Sequence, residues 1–260
     1  MPALILMYHN ISNRLETIPA DHRPYVLEPH VFHNQMKSVA DSRLEPLTVA
    51  EWCSNSQSKR GLILTFDDGH ISNHSAALPV LREFGLKATF FITAGAIGIG
   101  GTMNWAQIRD LHHAGMEIGS HTLTHRPPSM LSDTELEYEL SESRRILENG
   151  LGAPVTSISS PTGFFNPHMR RIAEKVGYRA LCISRVGFAA DGGDLFSLNR
   201  VAIKRSTSEK RFQALLDFDR LTIGHMRARQ RIRELARETL GRKGYLRVRR
   251  LLLASNIFTR

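Results

Sequence analysis

The stretch GLILTFDDGH, residues 61–70, decides how this chain folds and where its chemistry sits. An apolar run over 61–66 ends in paired carboxylates, Asp67 and Asp68, followed by a glycine. About fifty residues later SHTLTH, residues 120–125, sets His121 and His125 four apart between small hydroxyl residues. One aspartate and two histidines form a ligand set of the kind that holds Zn²⁺ in hydrolases, with one position left for water. The other carboxylate is then free to act as a base beside the metal. Taken singly, D-D-G after a strand is a turn, and H-x-x-x-H is two unrelated histidines. Their joint occurrence carries the reading.

Working outward, apolar runs at 3–8, 62–66, 88–92, 117–119, 157–159, 180–183 and 201–203 read as strands. Helical patterns lie between them near 29–40, 75–84, 105–114, 132–149 and 167–176, several stopping at a glycine. Ser132 with Glu135 three residues on is a capping box before the longest of these. Strands alternating with helices imply a parallel sheet, and about seven such units suggest a relative of the eight-fold barrel. Asp67–Asp68, His121 and Ser160–Pro161 each follow the C-terminal end of a predicted strand, the edge where parallel folds build their sites. His9 ends the first strand and joins them.

Composition bounds the rest. The 260 residues are 42% hydrophobic and 23% charged, ordinary for a globular chain with one core. Two cysteines, Cys53 and Cys182, without a C-x-x-C suit free thiols in a reducing compartment. MPALILMYHN reads as a first strand rather than a secretory signal, and no run reaches transmembrane length, so a cytoplasmic setting is expected. The charge is uneven. Residues 226–260 hold 11 of the 34 Lys+Arg and 2 of the 25 Asp+Glu, so the whole formal excess of +9 sits there. The expected organisation is therefore a neutral body, 1–225, and a basic helical extension, 226–260. Such a helix suits peripheral contact with the anionic inner face of a membrane, or packing on the body. Nucleic acid is not expected, because the extension lacks interleaved aromatics and the neutral body offers no groove.

TFDDG followed by H-[ST]-x-x-H is also a signature pair, and the chain resembles the polysaccharide deacetylases, carbohydrate esterase family 4, in a biosynthetic intracellular form. MYHNI near the start, ALPVLREFGLKATFFITAG at 77–95, NWAQIRDLHHAGMEIGSHT at 104–122 and ELSESRRILENGLGAPV at 139–155 fit the same resemblance. It runs from about residue 3 to 203. It implies an incomplete, distorted (β/α) barrel and a divalent metal, with Zn²⁺ expected on Asp68, His121 and His125. Asp67 takes the part of general base.

The later motifs depart from the family pattern. SSPTGFF, 159–165, stands where the family has R-x-P-Y, with Ser159 in place of the arginine and Thr162 in place of the tyrosine. The arginine orients the base, so its loss puts the tuning of Asp67 in question. Pro161 and Thr162 fall on the oxyanion side, where the Thr162 backbone N–H serves as well as a tyrosine's. Arg200, in LNRVAI, is a candidate to restore a guanidinium near Asp67. DGGDLFS, 191–197, is nearest to the aspartate–tryptophan motif. LTIGH, 221–225, offers His225 as general acid, on a strand or a helix equally. Without His225, the leaving amine draws its proton from His9 or from Asp67.

The resemblance thus implies a metal-dependent de-N-acetylase acting on an acetamido sugar: a glycan, lipid-linked saccharide or sugar nucleotide. The alternatives are a weak or inactive relative that binds glycan or metal, suggested by Ser159 and Thr162, and a membrane scaffold with no site.

Overall fold

In the computed structural model, residues 2–54, 60–163, 165–189 and 193–254 are described. In chain order the strands are β1 (Ala3–Tyr8), β2 (Asn10–Ile11), β3 (Val26–Leu27), β4 (Pro46–Leu47), β5 (Gly61–Phe66), β6 (Thr89–Ile92), β7 (Glu117–Ser120), β8 (Ser157–Ser159), β9 (Ala180–Cys182) and β10 (Val201–Ala202). The helices are α1 (Pro29–Asp41), α2 (Val49–Ser54), α3 (Leu78–Glu83), α4 (Trp105–His113), α5 (Asp133–Leu151), α6 (Pro167–Val176), α7 (Glu209–Leu216) and α8 (Arg220–Ala254).

β1 and β5 are buried at every position and apolar but for Thr65, as central strands of a parallel sheet are when both faces are covered. They pair in parallel from Ala3 opposite Gly61 to Tyr8 opposite Phe66. The sheet runs β10-β1-β5-β6-β7-β8-β9, all parallel, with short β4 against the start of β5. Seven strands curl into an open, distorted barrel. β9 and β10 are its free edges, and the segment between them is tied by a bridge from Cys182 to Leu198.

Local chemistry sets the element ends. Asn104 and Gln107 form a capping box on α4, and Ser132 and Glu135 form one on α5. Gly152, at φ 67°, stops α5 in a left-handed conformation that costs glycine little. α5 turns Leu136, Glu139, Leu140, Ser143 and Leu147 inward, a helical stripe with two polar members. Beneath the rim, the Tyr8, Phe66 and Phe90 rings stack at 5.3 and 4.6 Å between centroids.

The chain divides into two units, one ending at Phe218 and one beginning at Asp219. In the second, the Asp219 carboxylate accepts from the Leu221 and Thr222 N–H groups at 3.0 and 3.1 Å, the cap from which α8 starts. Residues 221–225 are helical, so of the two conformations open for LTIGH the strand is not adopted. Among the described residues no helix is long and apolar enough to cross a membrane.

Candidate active site

Because β1 and β5 pair in register, the residues just past their ends, His9 and Asp67, emerge side by side on the rim. The Asp67 N–H donates to the Tyr8 carbonyl at 3.0 Å, extending the ladder by one step. His121 follows β7, its N–H bonded to the Ile92 carbonyl of β6 at 2.8 Å. Ser160 follows β8 and bonds to the Cys182 carbonyl of β9 at 3.0 Å. Four strand ends therefore bring His9, Asp67–Asp68, His121 and Ser160–Pro161 to one edge.

Asp67 is fully enclosed and held by three donors. Arg200 donates from Nη1 to Oδ1 at 2.7 Å and from Nη2 to Oδ2 at 2.8 Å, a bidentate pair. Nη2 also donates to Ser159 Oγ at 2.7 Å, and that hydroxyl donates to Asp67 Oδ2 at 3.2 Å. The guanidinium has no exposed surface and lies 5.6 Å from the Phe91 ring centroid. Burial opposes the Asp67 charge, but Arg200 and His121 outweigh it and hold the carboxyl below its ordinary range. Ser159, which stands at the place of the expected arginine, thus links Arg200 to the same carboxylate. The role of that hydroxyl was not legible in the sequence.

Asp68 turns away from Asp67 through a left-handed backbone, φ 75°. Its Oδ1 lies 3.3 Å from His121 Nε2 and 3.4 Å from His125 Nε2. One ligand atom from each of the three falls within 4.8 Å of the others. His121 Nδ1 hydrogen-bonds to the Ser159 carbonyl at 2.9 Å, so that nitrogen carries the proton. In the neutral ring the Nε2 lone pair then faces a carboxylate oxygen, an arrangement that a proton on Nε2 or a metal cation between the two atoms makes favourable. The donor set of two imidazoles and a carboxylate accordingly fits a divalent metal. Burial also opposes charge on Asp68, yet its contacts with His121 and His125 hold its carboxyl well below the usual range. Burial lowers the His121 pKa, but Asp67 and Asp68 prevail and raise it.

Backbone strain marks the same place. Among the described non-glycine residues five have positive φ, and four of them are Asp68, Thr122, His125 and Thr162. Each such conformation costs about 1–3 kcal/mol and persists only where surrounding contacts impose it. Thr162, at φ 59°, sits in the short turn Pro161–Gly163 after β8.

The remaining candidates are placed as follows. His9 is half-buried, its enclosed Nδ1 lacks a hydrogen-bond partner, and its ring lies 4.9 Å from that of Tyr25. Burial lowers its pKa against the pull of Asp68 and Asp67. His225 is exposed on α8, within the second unit. Asp191 lies outside the described residues. Asp194, from the same motif, accepts from the Phe196 N–H at 3.0 Å and pairs with Arg170 at 3.1 Å, a local structural role. Glu139 was not singled out in the sequence. It accepts from the Leu123 and Thr124 N–H groups at 2.9 and 2.8 Å, beneath the loop that carries His125. Its signal was available: a carboxylate on the inward, apolar stripe of a helix.

Comparison with known proteins adds the family context. The polysaccharide deacetylase family profile matches residues 54–181. YxkH of Bacillus subtilis (strain 168), assigned by name to the polysaccharide deacetylases, is 30% identical over 220 residues, covering 82% of this chain and 75% of the relative. A peptidoglycan-N-acetylglucosamine deacetylase of Bacillus cereus is 28% identical over 139 residues, 53% of this chain and 62% of that protein. The deacetylase PplD of Streptococcus pyogenes, solved in complex with acetate, superposes with a TM-score of 0.75 at 27% identity, covering 84% of this chain and 97% of its own.

Proposed function

The chain belongs to the polysaccharide deacetylase family, and we propose that its site is a metal-dependent amidohydrolase removing an N-acetyl group from an acetamido sugar. One observation carries this reading: a buried base, Asp67, clamped by Arg200 and Ser159, stands directly beside the Asp68–His121–His125 donor set. A divalent ion held by those three, most suitably Zn²⁺ for mixed nitrogen and oxygen donors, supplies Lewis acidity and makes water a nucleophile near neutral pH.

The chain's own groups do the rest. Asp67 takes the proton from the attacking water, and the Arg200 fork fixes the direction of its lone pairs. The Thr162 N–H donates to the oxygen that gains charge as the carbonyl is attacked. His9, next to Asp67 on the adjoining strand end, is assigned in this reading to protonate the leaving amine. Its burial-lowered pKa makes it a ready donor once charged. This moves the acid from His225, the candidate read from LTIGH, to the rim itself.

A weak or inactive relative is suggested by two departures, Ser159 in place of the family arginine and Thr162 in place of the tyrosine. The Thr162 backbone N–H can serve in the tyrosine's place. Arg200 against Asp67 supplies a guanidinium for the same carboxylate, which answers the Ser159 departure. Free Cys53 and buried Cys182 suit a reducing setting and therefore a biosynthetic substrate: a precursor glycan, lipid-linked saccharide or sugar nucleotide. The basic extension on α8 suits peripheral contact with an anionic inner membrane face.

The test is acetate release from N-acetylglucosamine oligomers by the zinc-loaded protein, beside an Asp67→Asn variant. Release that Asp67→Asn abolishes supports the reading. Equal release by both proteins, or none by the zinc-loaded wild type across oligomers and sugar nucleotides, overturns it.

A further inference from the structure

The loop 121–125 places two of the three metal-ligand side chains, yet it holds two left-handed residues, Thr122 and His125. Left to itself such a segment relaxes, so something must hold it. From one side, Ala94 and Gly95 donate backbone N–H groups to the Thr122 and Leu123 carbonyls at 3.0 and 2.8 Å. The fit there is close: a Cβ on Gly95 would fall 2.7 Å from the Leu123 oxygen. From the other side comes, chiefly, the side chain of Glu139. Glu139 Oε2 accepts from the Leu123 N–H at 2.9 Å and the Thr124 N–H at 2.8 Å, and Oε1 accepts from the Thr124 hydroxyl.

Glu139 is only 4% exposed, and every hydrogen bond described for it goes to residues 123 and 124. Burying a carboxylate is costly unless its hydrogen bonds offset the lost hydration. One turn further along α5, Ser143 bonds to Ser120 at 2.8 Å, and Ser120 in turn accepts from the Thr122 N–H at 3.1 Å. The inward polar residues of α5 thus both converge on the loop, while the rest of the stripe is apolar.

We propose that Glu139 is a positioning residue for the metal centre, a clamp that holds residues 123–124 so that His125 reaches Asp68 in its left-handed conformation. The inference rests on the metal-dependent reading above. Glu139 acts through the loop and touches neither metal nor substrate. It works by accepting hydrogen bonds rather than by its charge. A glutamine can therefore replace it, its carbonyl taking both N–H groups and its amide facing the Thr124 oxygen. An aspartate, one methylene shorter, cannot reach.

The test measures zinc affinity of the full-length protein by competition with a chromophoric chelator, beside thermal melts of the zinc-free forms. Glu139→Ala and Glu139→Asp are expected to weaken zinc binding by about 10–100-fold, the usual cost of losing an outer-shell partner. Glu139→Gln should stay close to wild type. If Glu139→Ala fails to fold, Glu139→Asp, which keeps the charge, still decides. Wild-type affinity in the Asp or Ala variant, with any loss confined to the zinc-free melting temperature, overturns the clamp and leaves the metal reading intact. A wild type that binds no zinc overturns both.

Discussion

Arg200 and Asp67, 133 residues apart in sequence, form a fully buried bidentate pair across the barrel. Its consequence for stability is specific. Arg200→Met leaves the carboxylate buried without its cation, a loss of about 3–5 kcal/mol. The Asp67 pKa is depressed in the folded state, so its contribution is present above the unfolded value of about 3.9 and is lost as pH falls through the folded one. Without Arg200, burial raises the pKa of the Asp67 carboxyl in the variant. Melting temperatures should therefore differ widely at pH 7, and the gap should narrow as pH falls, first as the variant's carboxyl protonates and then below about pH 4 as the wild type's does. A gap independent of pH would mean that packing, not the ion pair, accounts for the difference.

The two adjacent carboxylates should separate cleanly by metal content. Asp67→Asn should retain zinc while lowering turnover by about 10²–10⁴, the span of positioned base catalysis. His125→Ala should lose most of the metal. Metal at a hundred times its Kd adds about 2.7 kcal/mol of stability. Zinc should thus raise the melting temperature of wild type and Asp67→Asn but not of His125→Ala. Zinc loss in Asp67→Asn and retention in Asp68→Asn would reverse the two roles.

Much of this arrangement was legible beforehand, and the physical reason is the parallel sheet. Its central strands β1 and β5 are near-continuous apolar runs that could be read directly, and with them the rim positions of His9 and Asp67. The short β7, with Glu117 and Ser120, instead ends at the SHTLTH motif that gives His121. The two-residue strands β2, β3 and β4 carry too little pattern to be seen. α7 has a Ser208 cap and the spaced apolar residues Phe212, Leu215 and Leu216, a signal present but not read. The Arg200–Asp67 contact was visible only as a candidate, because no local periodicity links positions so far apart. The left-handed backbones at Asp68, Thr122, His125 and Thr162 were not legible at all. None of these is glycine, and only tertiary contacts impose the conformation.

The identity of the acid is decided by leaving-group chemistry. If His9 protonates the departing amine, His9→Ala should lower kcat on an acetamide by about 10²–10⁴. An activated acetate ester, whose leaving group needs no proton, should suffer much less. His225→Ala, on exposed α8, should leave both rates nearly unchanged. The reverse pattern, with the acetamide-specific loss in His225→Ala, would return the role to LTIGH.

The last expectation concerns the charged extension. Residues 226–260 carry the chain's entire formal excess, and Arg229, Arg231 and Arg233 are exposed on α8 beside the exposed apolar residues Ile232 and Leu235. A helix of this composition gains up to about 1 kcal/mol per basic residue at an anionic surface, roughly fivefold in affinity each, and salt screens that gain. Full-length protein should co-sediment with phosphatidylglycerol vesicles at low salt, release at high salt, and ignore phosphatidylcholine. Reversing charge at Arg229, Arg231 and Arg233 to glutamate should abolish the binding while sparing hydrolysis of a small soluble acetamide. The competing view, a helix whose charges are simply solvated, expects no sedimentation with either lipid. Full-length protein that stays in solution beside anionic vesicles at low salt would end the membrane proposal without touching the catalytic one.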